Sequence, residues 1–235
     1  LRTDFSLARL AHYTGAPAEH VQPYILFTNY HRYVDEFVAW ACAQLRAEGP
    51  YVALSAAGRV LVTAETPNPE QVVADAPWRR HQMPAYHLMP AVGPSNAKTI
   101  TDHLAVLRPQ AWLMIGHCGG LRGSQTIGDY VLAHAYLRDD HVLDDVLPPE
   151  VPIPPIAEVQ VALGRAAEIV TGESGDLLKR RLRTGTVVTT DDRNWELRYS
   201  LSALRFNQSR AVAIDMESAT IAAQGYRFRV PYGTL

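Results

Sequence analysis

The chain has 235 residues, of which 47% are hydrophobic and 20% charged, enough to build the core of one large α/β domain. The formal net charge is −2, so we expect neither nucleic-acid binding nor an anionic-membrane surface, since both need a positive excess. Two cysteines, Cys42 and Cys118, do not make a disulfide framework, and no apolar run approaches the ~20 residues that cross a bilayer. A reduced, cytoplasmic protein is therefore expected, and a small phosphorylated ligand stays compatible with the charge.

The chain is predicted to divide into a short arm and one domain. Residues 1–33 are mixed in character and carry Gly15 and Pro23, which predicts a connecting arm rather than a domain. Residues 34–235 predict a catalytic α/β domain. Because residues 230–235 resemble a strand cut off in progress, we expect this domain to be truncated at its C-terminus.

Strand and helix patterns alternate through the predicted domain. The predicted strands are 51–55, 59–63, 87–91, 111–115, 130–136, 184–190 and 211–214, and the predicted helices are 34–45, one starting at 68, one between 96 and 109, 157–170, 195–204 and 218–225. This alternation predicts an α/β fold, a three-layer α/β/α sandwich with a central mixed, mostly parallel sheet. The 87–91 run reaches the Gly93 turn almost at once, so we expect a further strand, and missing residues, between Ala91 and Val92.

Two glycine-containing turns follow strands, where parallel sheets bind ligands. Residues 93–98 (GPSNAK) open a helix, whose positive end favours an anion, but a plain capped helix explains them at least as well. Residues 116–120 (GHCGG) follow a buried strand, and adjacent glycines let a ligand approach the backbone closely; a tight structural turn explains them equally well. His117 and Cys118 have no companions at metal-ligand spacing, so no metal site is expected.

Two further loops carry polar side chains after strands. Residues 189–196 (TTDDRNWE) combine charged, amide and aromatic groups; a Trp here suits stacking on a planar base, while the acidic residues also suit a helix N-terminus. Residues 215–218 (DMES) place carboxylates at a strand end, within reach of ribose hydroxyls. Capping of the next helix accounts for Asp215 but less readily for Glu217.

Taken together, these loops resemble the nucleoside phosphorylase and nucleosidase superfamily. Its members carry a glycine-rich loop before a helix, a Gly-Ser/Thr-Cys/Ala-Gly-Gly turn and a Glu-Met-Glu-Ala-type strand end; here these are 93–95, 116–120 and 215–218. Residues 27–30, 93–99, 115–121, 189–197 and 214–223 resemble the AMP nucleosidase family in particular. The resemblance implies the nucleoside phosphorylase fold and hydrolysis of AMP to adenine and ribose 5-phosphate.

The resemblance also implies roles for individual residues. Glu217 would accept hydrogen bonds from the ribose hydroxyls beside Met216, Trp195 would lie against the base, and an arm from a neighbouring subunit would complete the site. The remaining substrate-binding residues that we expect are Asp192, Arg193, Asn194, Ser95, Asn96, Lys98, His117, Gly119, Gly120 and, from the arm, Asn29, Tyr30 and Arg32. Arg32, Lys98 and Arg193 are the candidates to bind the 5′-phosphate.

Departures from the superfamily pattern bear on the chemistry. Phosphorylases of this superfamily carry Arg two residues before the turn, where Met114 stands here, which favours water over phosphate as the nucleophile. The family's catalytic aspartate, the general acid, is expected beyond Leu235, and Glu65 is a candidate to orient the water because it follows a strand near the start of the domain.

Partners and alternatives follow from the same resemblance. We expect a homo-oligomer, a hexamer built from dimers, with no cofactor in this domain; an upstream regulatory domain would respond to ATP with Mg²⁺ and to phosphate. Two alternatives stay open: a phosphorylase or nucleosidase acting on unphosphorylated nucleosides, and a non-catalytic module that senses AMP.

Overall fold

The structure of the chain is a computed structural model that describes residues 2–14, 18, 21–46, 52–56, 59–63 and 86–235. Its helices are α1 Thr3–Thr14, α2 His31–Arg46, α3 Pro94–Leu104, α4 Ala157–Thr171, α5 Gly175–Arg181, α6 Tyr199–Gln208 and α7 Ser218–Phe228. Its strands are β1 Tyr24–Thr28, β2 Val52–Ala56, β3 Arg59–Thr63, β4 Tyr86–Pro90, β5 Ala111–Met114, β6 Gly119–Gly120, β7 Tyr130–Asp139, β8 Leu182–Thr190, β9 Ala213–Asp215 and β10 Tyr232–Thr234. The helix expected to start at Asn68 lies outside the described residues.

The strands form two hydrogen-bonded sheets. One has the order β10-β5-β1-β4-β3-β2, with the first four strands parallel and the β3 and β2 pairings antiparallel. The other has the order β6-β9-β8-β7, in which only β6 runs antiparallel. The predicted α/β class with mixed, mostly parallel strands is confirmed, with the strands divided between two sheets instead of joined in one.

Strand β1 corrects the interpretation of residues 1–33 as a connecting arm. Its sequence, YILFT, is apolar, and both Ile25 and Phe27 are fully buried because β1 pairs with β4 on one side and β5 on the other. Leu10 of α1 is buried in the same core. An apolar strand gains most when it is covered on both faces, so this segment joins the body of the domain.

The turn before α3 follows β4 directly. β4 pairs in parallel with β1, and the Ala91 N–H that follows it donates to the Thr28 carbonyl over 2.8 Å. Val92 and Gly93 then lead directly into α3, with Gly93 at φ 84°, a left-handed conformation that glycine tolerates. The strand predicted at 87–91 is therefore β4; the further strand expected between Ala91 and Val92 is absent from the described residues, and the expectation of missing residues there stays a prediction.

Helix α7 is held tightly against the six-stranded sheet. Its residues Ser218 to Gly225 are all buried, as expected of a helix covered on every side. A Cβ atom at Gly225 would lie 2.4 Å from the Tyr232 ring and 2.8 Å from the Trp112 indole nitrogen. This close approach fixes the C-terminal half of α7 against β10 and β5. None of the helices in the described part of the chain has the length and apolar character of a membrane span.

Candidate active site

The site is centred on Glu217, which follows β9 and immediately precedes α7. Its side chain is 1% exposed. One carboxylate oxygen, Oε2, accepts a hydrogen bond from Asn29 Nδ2 over 2.8 Å, and Oε1 accepts one from the Gly93 N–H over 2.6 Å. The carboxylate thus joins three segments that are far apart in sequence: the ends of β1 and β9 and the turn before α3.

Asn29 connects Glu217 to the turn at residues 116–117. Its Oδ1 accepts the His117 N–H over 2.8 Å, and its Nδ2 also donates to the His117 carbonyl over 3.0 Å. A Cβ atom at Gly116 would lie 2.8 Å from Asn29 Oδ1 and 2.4 Å from Met114 Cε, so a larger residue here would have to displace one of these side chains. The GHCGG turn is therefore a structural support of the Glu217 site.

The electrostatic environment of Glu217 contains opposing influences. Burial raises its pKa to about 7, and the nearby negative charge of Asp215 acts in the same direction. The hydrogen bonds from Gly93 and Asn29, together with the backbone of Met216, favour the charged form and limit this increase. The effect of burial thus exceeds that of the hydrogen bonds, so the protonated form of Glu217 is favoured more than it is for a glutamate in water.

Asp215 has a structural role. It accepts hydrogen bonds from Thr189 Oγ1 over 2.6 Å and from the Ser218 N–H over 3.0 Å, and also from the Ser218 hydroxyl. These contacts satisfy the first backbone N–H of α7 and link β9 to β8, although the N-cap position of the helix is Glu217 and not Asp215. Desolvation of this buried carboxylate raises its pKa.

The predicted residues His117 and Tyr30 lie together beside this network. The imidazole of His117 stacks on the Tyr30 ring with the centroids 4.4 Å apart and the planes 3° apart, and Tyr33 contacts it edge-on at 5.9 Å. His117 itself is exposed. The predicted turn residues Gly119 and Gly120 form β6, which pairs with β9 next to Asp215. The 116–120 turn therefore contacts two parts of the site: it binds Asn29, and it pairs with β9, the strand that Glu217 follows.

The residues expected from α3 do not contact Glu217 through their side chains. Ser95 and Asn96 are exposed in the first turn of α3, and neither side chain caps the helix. Lys98 forms an ion pair with Asp102 over 2.7 Å, and Gln224 of α7 donates to Asp102 over the same distance. Lys98 is thus already engaged in a polar network between α3 and α7.

The loop after β8 lines an open cleft of about 400 Å³. Trp195 is half-buried there and packs edge-on against Phe206, with the centroids 5.4 Å apart. Asp192 accepts the Asn194 N–H over 2.9 Å and forms an ion pair with Arg198 that lowers its pKa. Asp192 and Trp195 therefore line this cleft, while Arg193 and Asn194 lie exposed beside it.

The remaining predicted residues that the structure describes do not support their expected roles through a contact with Glu217, except Asn29. Arg32 is exposed in the first turn of α2, and neither it nor Arg193 is in an ion pair within the described ranges. Glu65 lies outside the described residues. Asn29 and Tyr30, which we expected to act on a neighbouring subunit, contact Glu217 and His117 of their own chain, because β1 lies inside the sheet.

Two features of the site were not predicted from the sequence. Tyr33, the second ring beside His117, is not among the residues that the sequence predicts. The Gly93 turn predicts either an anion site or a plain capped helix, and in the structure its N–H binds Glu217 of the same chain. A long-range contact of this kind leaves no local signal; the available hint is that capping explains Glu217 less readily than Asp215.

The chain is similar in sequence to a known superfamily and to a curated enzyme. A model described as the phosphorylase superfamily matches residues 34–235. AMP nucleosidase of Escherichia coli (strain K12) is 72% identical over 246 aligned positions; these cover 100% of this chain and 51% of that protein, so the chain spans about half the length of this relative.

Solved structures are similar as well. An AMP nucleosidase from Bacteroides thetaiotaomicron has a TM-score of 0.76 and 27% identity, covering 100% of this chain and 88% of that one. A purine nucleoside phosphorylase from Toxoplasma gondii has a TM-score of 0.67 and 16% identity, covering 93% and 77%, and at this identity it supports the fold alone.

Proposed function

Because the chain belongs to the phosphorylase superfamily, we propose that it is the catalytic part of an enzyme that hydrolyses the N-glycosidic bond of AMP. The products are adenine and ribose 5-phosphate. The 72% identity to an AMP nucleosidase along the whole chain supports this substrate. The structural observation that carries the proposal is the buried Glu217 carboxylate held by Asn29 and Gly93.

Glu217 suits the ribose side of this reaction. Each carboxylate oxygen has two lone pairs, and one on each oxygen is used within the chain, which leaves two that can accept hydrogen bonds from vicinal ribose hydroxyls. As the C1′–N9 bond breaks, its electron pair leaves with adenine and positive charge develops on the sugar. A fixed carboxylate beside that charge stabilises it more than it stabilises the neutral ribose of the ground state.

Water, rather than inorganic phosphate, is the nucleophile in this proposal. Met114, at the position where phosphorylases of the superfamily carry Arg, is buried and apolar and presents no cation to an attacking phosphate. Water supplies the oxygen that bonds to C1′ and loses a proton, and the departing adenine gains one. The acid for that step is expected to be an aspartate that follows β10, and this assignment stays a prediction.

The 5′-phosphate needs a cation, and the surroundings of the three candidates support a choice among them. Lys98 is held by Asp102, whereas Arg32 and Arg193 are exposed. Arg32 lies two residues after Tyr30, which stacks on His117 beside the Asn29–Glu217 network. We infer that Arg32 binds the phosphate and that Trp195 contacts the base from the β8 loop.

The cellular setting is inferred from the same resemblance. We infer that the protein acts in the cytoplasm, in purine nucleotide metabolism, as a homo-oligomer. The exposed apolar side chains of Leu197, Leu201 and Leu204 support association with another subunit. Allosteric control by ATP with Mg²⁺ and by phosphate stays an expectation.

A product assay tests the proposal. The full-length protein is incubated with AMP or adenosine, with and without inorganic phosphate, and the sugar product is identified. Ribose 5-phosphate as the sugar product from AMP, both with and without added phosphate, supports the proposal. Ribose 1-phosphate formed from adenosine would assign a phosphorylase, and AMP binding without product would assign a sensor.

A further inference from the structure

Asn29 uses its whole amide group within the site. Oδ1 accepts from the His117 N–H, and the two hydrogens on Nδ2 go to the His117 carbonyl and to Glu217 Oε2. The opposite amide orientation would set two donors against each other at the His117 N–H and place Oδ1 against a carbonyl and a carboxylate. The surroundings therefore fix which end of the amide faces Glu217.

The backbone around Asn29 is fixed as well. Thr28, just before it, lies in β1 and is buried, and its carbonyl accepts the Ala91 N–H over 2.8 Å. The Gly116 N–H, from the turn that Asn29 binds, donates to the Leu235 carbonyl over 3.3 Å. Asn29 is thus held at the end of a central strand while it connects two other segments. A side chain in this setting can set the position of its partners.

We propose that Asn29 is a positioning residue that orients the Glu217 carboxylate toward the ribose and fixes it relative to the 116–117 turn. This inference deepens the proposed function and rests on it. Asn29 does not need to touch the substrate. It acts through Glu217 by occupying one lone pair of Oε2, so that the remaining lone pairs point in a fixed direction.

The proposal has a consequence for pH dependence. Glu217 must be ionised to stabilise positive charge on the sugar, so activity should fall as pH drops through its pKa. Among the described groups, the charge that acts on Glu217 is Asp215 at the end of β9; Asn29 and the Gly93 N–H oppose its effect from β1 and the α3 turn. Removing the Asn29 donor should move the acidic limb of the kcat/KM profile to higher pH.

The experiment compares Asn29→Asp with Asn207→Asp in the full-length protein. Asn29→Asp keeps an acceptor for the His117 N–H but replaces the donor facing Glu217 with a negative charge. We expect its acidic limb to shift upward by about one pH unit or more, as for other closely spaced carboxylates. Asn207 is exposed on α6, so the same substitution there should leave the profile unchanged.

A second variant keeps the test decisive if Asn29→Asp does not fold. Asn29→Ser retains a small polar group but shortens the contact, and its limb should shift in the same direction by less. Circular dichroism and gel filtration identify folded protein. A folded Asn29 variant whose profile superimposes on that of the wild type overturns the positioning role. Failure of the wild type to hydrolyse AMP would instead overturn the proposed function.

The shift should also depend on Glu217. In a Glu217→Gln background, Asn29→Asp should no longer move an acidic limb, because the group that titrates has been removed. A shift of the same size in that background would show that Asn29 acts through another group, and would count against the inference.

Discussion

The backbone N–H of Gly93 donates to the Oε1 of Glu217 over 2.6 Å, across 124 residues of sequence. The turn before a helix is a favourable place for an anion, because backbone N–H groups and the helix dipole both point there. Here the anion is a side chain of the same chain. The positive end of α3 therefore partly offsets the cost of burying Glu217, whose pKa would otherwise rise further.

Replacing Glu217 with Gln should lower turnover severely. The substitution keeps the size of the side chain but removes the negative charge beside the developing cation, and loss of one such contact costs about 3–4 kcal/mol in the barrier. Steady-state kcat with AMP measures the effect. Glu168→Gln on α4 is the control, since that residue pairs with Arg165 on the surface. Turnover of Glu217→Gln within a few-fold of wild type would rule out this role.

The same substitution should change how stability depends on pH. The pKa of Glu217 is raised from 4.5 to about 7 on folding, so its favourable contribution is fully present below pH 4.5 and is lost as pH rises through 7. Glu217→Gln removes that dependence. The free energy of unfolding of the variant minus that of the wild type should therefore rise by about 3 kcal/mol between pH 4.5 and 8.

Denaturant unfolding at several pH values measures this difference. The amide introduced by Glu217→Gln would also turn an N–H toward the Gly93 or Asn29 donor, which lowers the stability of the variant by an amount that does not vary with pH. The expected signature is therefore the slope against pH and not the absolute stability. A difference that stays constant over this range would mean that Glu217 titrates in the folded state as it does in the unfolded chain.

The order of strands and helices was predictable because each apolar run has a clear period and clear ends. The run at 111–115 became the buried strand β5, and 218–225 became most of α7. The role of β1 was missed, because Gly15 and Pro23 around it are typical of a linker and the strand has only five residues. Its burial depends on β4 and β5, which a local pattern cannot reveal.

In the candidate site, too, local sequence patterns predicted some residues but not the contacts between distant segments. The residue types at strand ends predicted Glu217, since helix capping explains a carboxylate there less readily than it explains Asp215. The sequence could not predict that Asn29 and Gly93 bind it, because residues 29, 93 and 217 meet only through the sheet order. Nor could it predict that Lys98 is occupied by Asp102, although the two are spaced i,i+4 on one helix.

Substituting Gly116 with Ala should disrupt the site through Asn29. The added Cβ atom would lie 2.8 Å from Asn29 Oδ1 and 2.4 Å from Met114 Cε, so one of these neighbours must move. Overpacking of this kind costs about 1–3 kcal/mol of stability, and displacement of Asn29 should also lower kcat/KM. Gly123→Ala is the matched control, because its Cβ atom meets nothing within 4 Å. Equal stability and activity for the two variants would show that the 116–117 turn adapts freely.

Replacing Arg32 with Ala should reduce the preference of the enzyme for AMP over adenosine. The 5′-phosphate carries nearly two negative charges, and a charge-assisted hydrogen bond to it is worth about 1.5–3 kcal/mol. Of the three candidate cations, Lys98 is paired with Asp102, and Arg193 lies in the β8 loop beside the cleft that Trp195 lines. Arg32 is exposed in the first turn of α2, close in sequence to Asn29 and Tyr30.

Arg32→Ala should therefore lower kcat/KM for AMP much more than for adenosine, narrowing the preference between them by about 1.5–3 kcal/mol. Arg165→Ala, which removes a surface arginine of α4, should leave the preference unchanged. Kinetics with both substrates, on both variants, measure the ratio directly. Equal losses for AMP and adenosine would mean that Arg32 only supports the local structure. Arg193→Ala should then be the variant that changes the ratio, because Arg193 is the remaining exposed candidate.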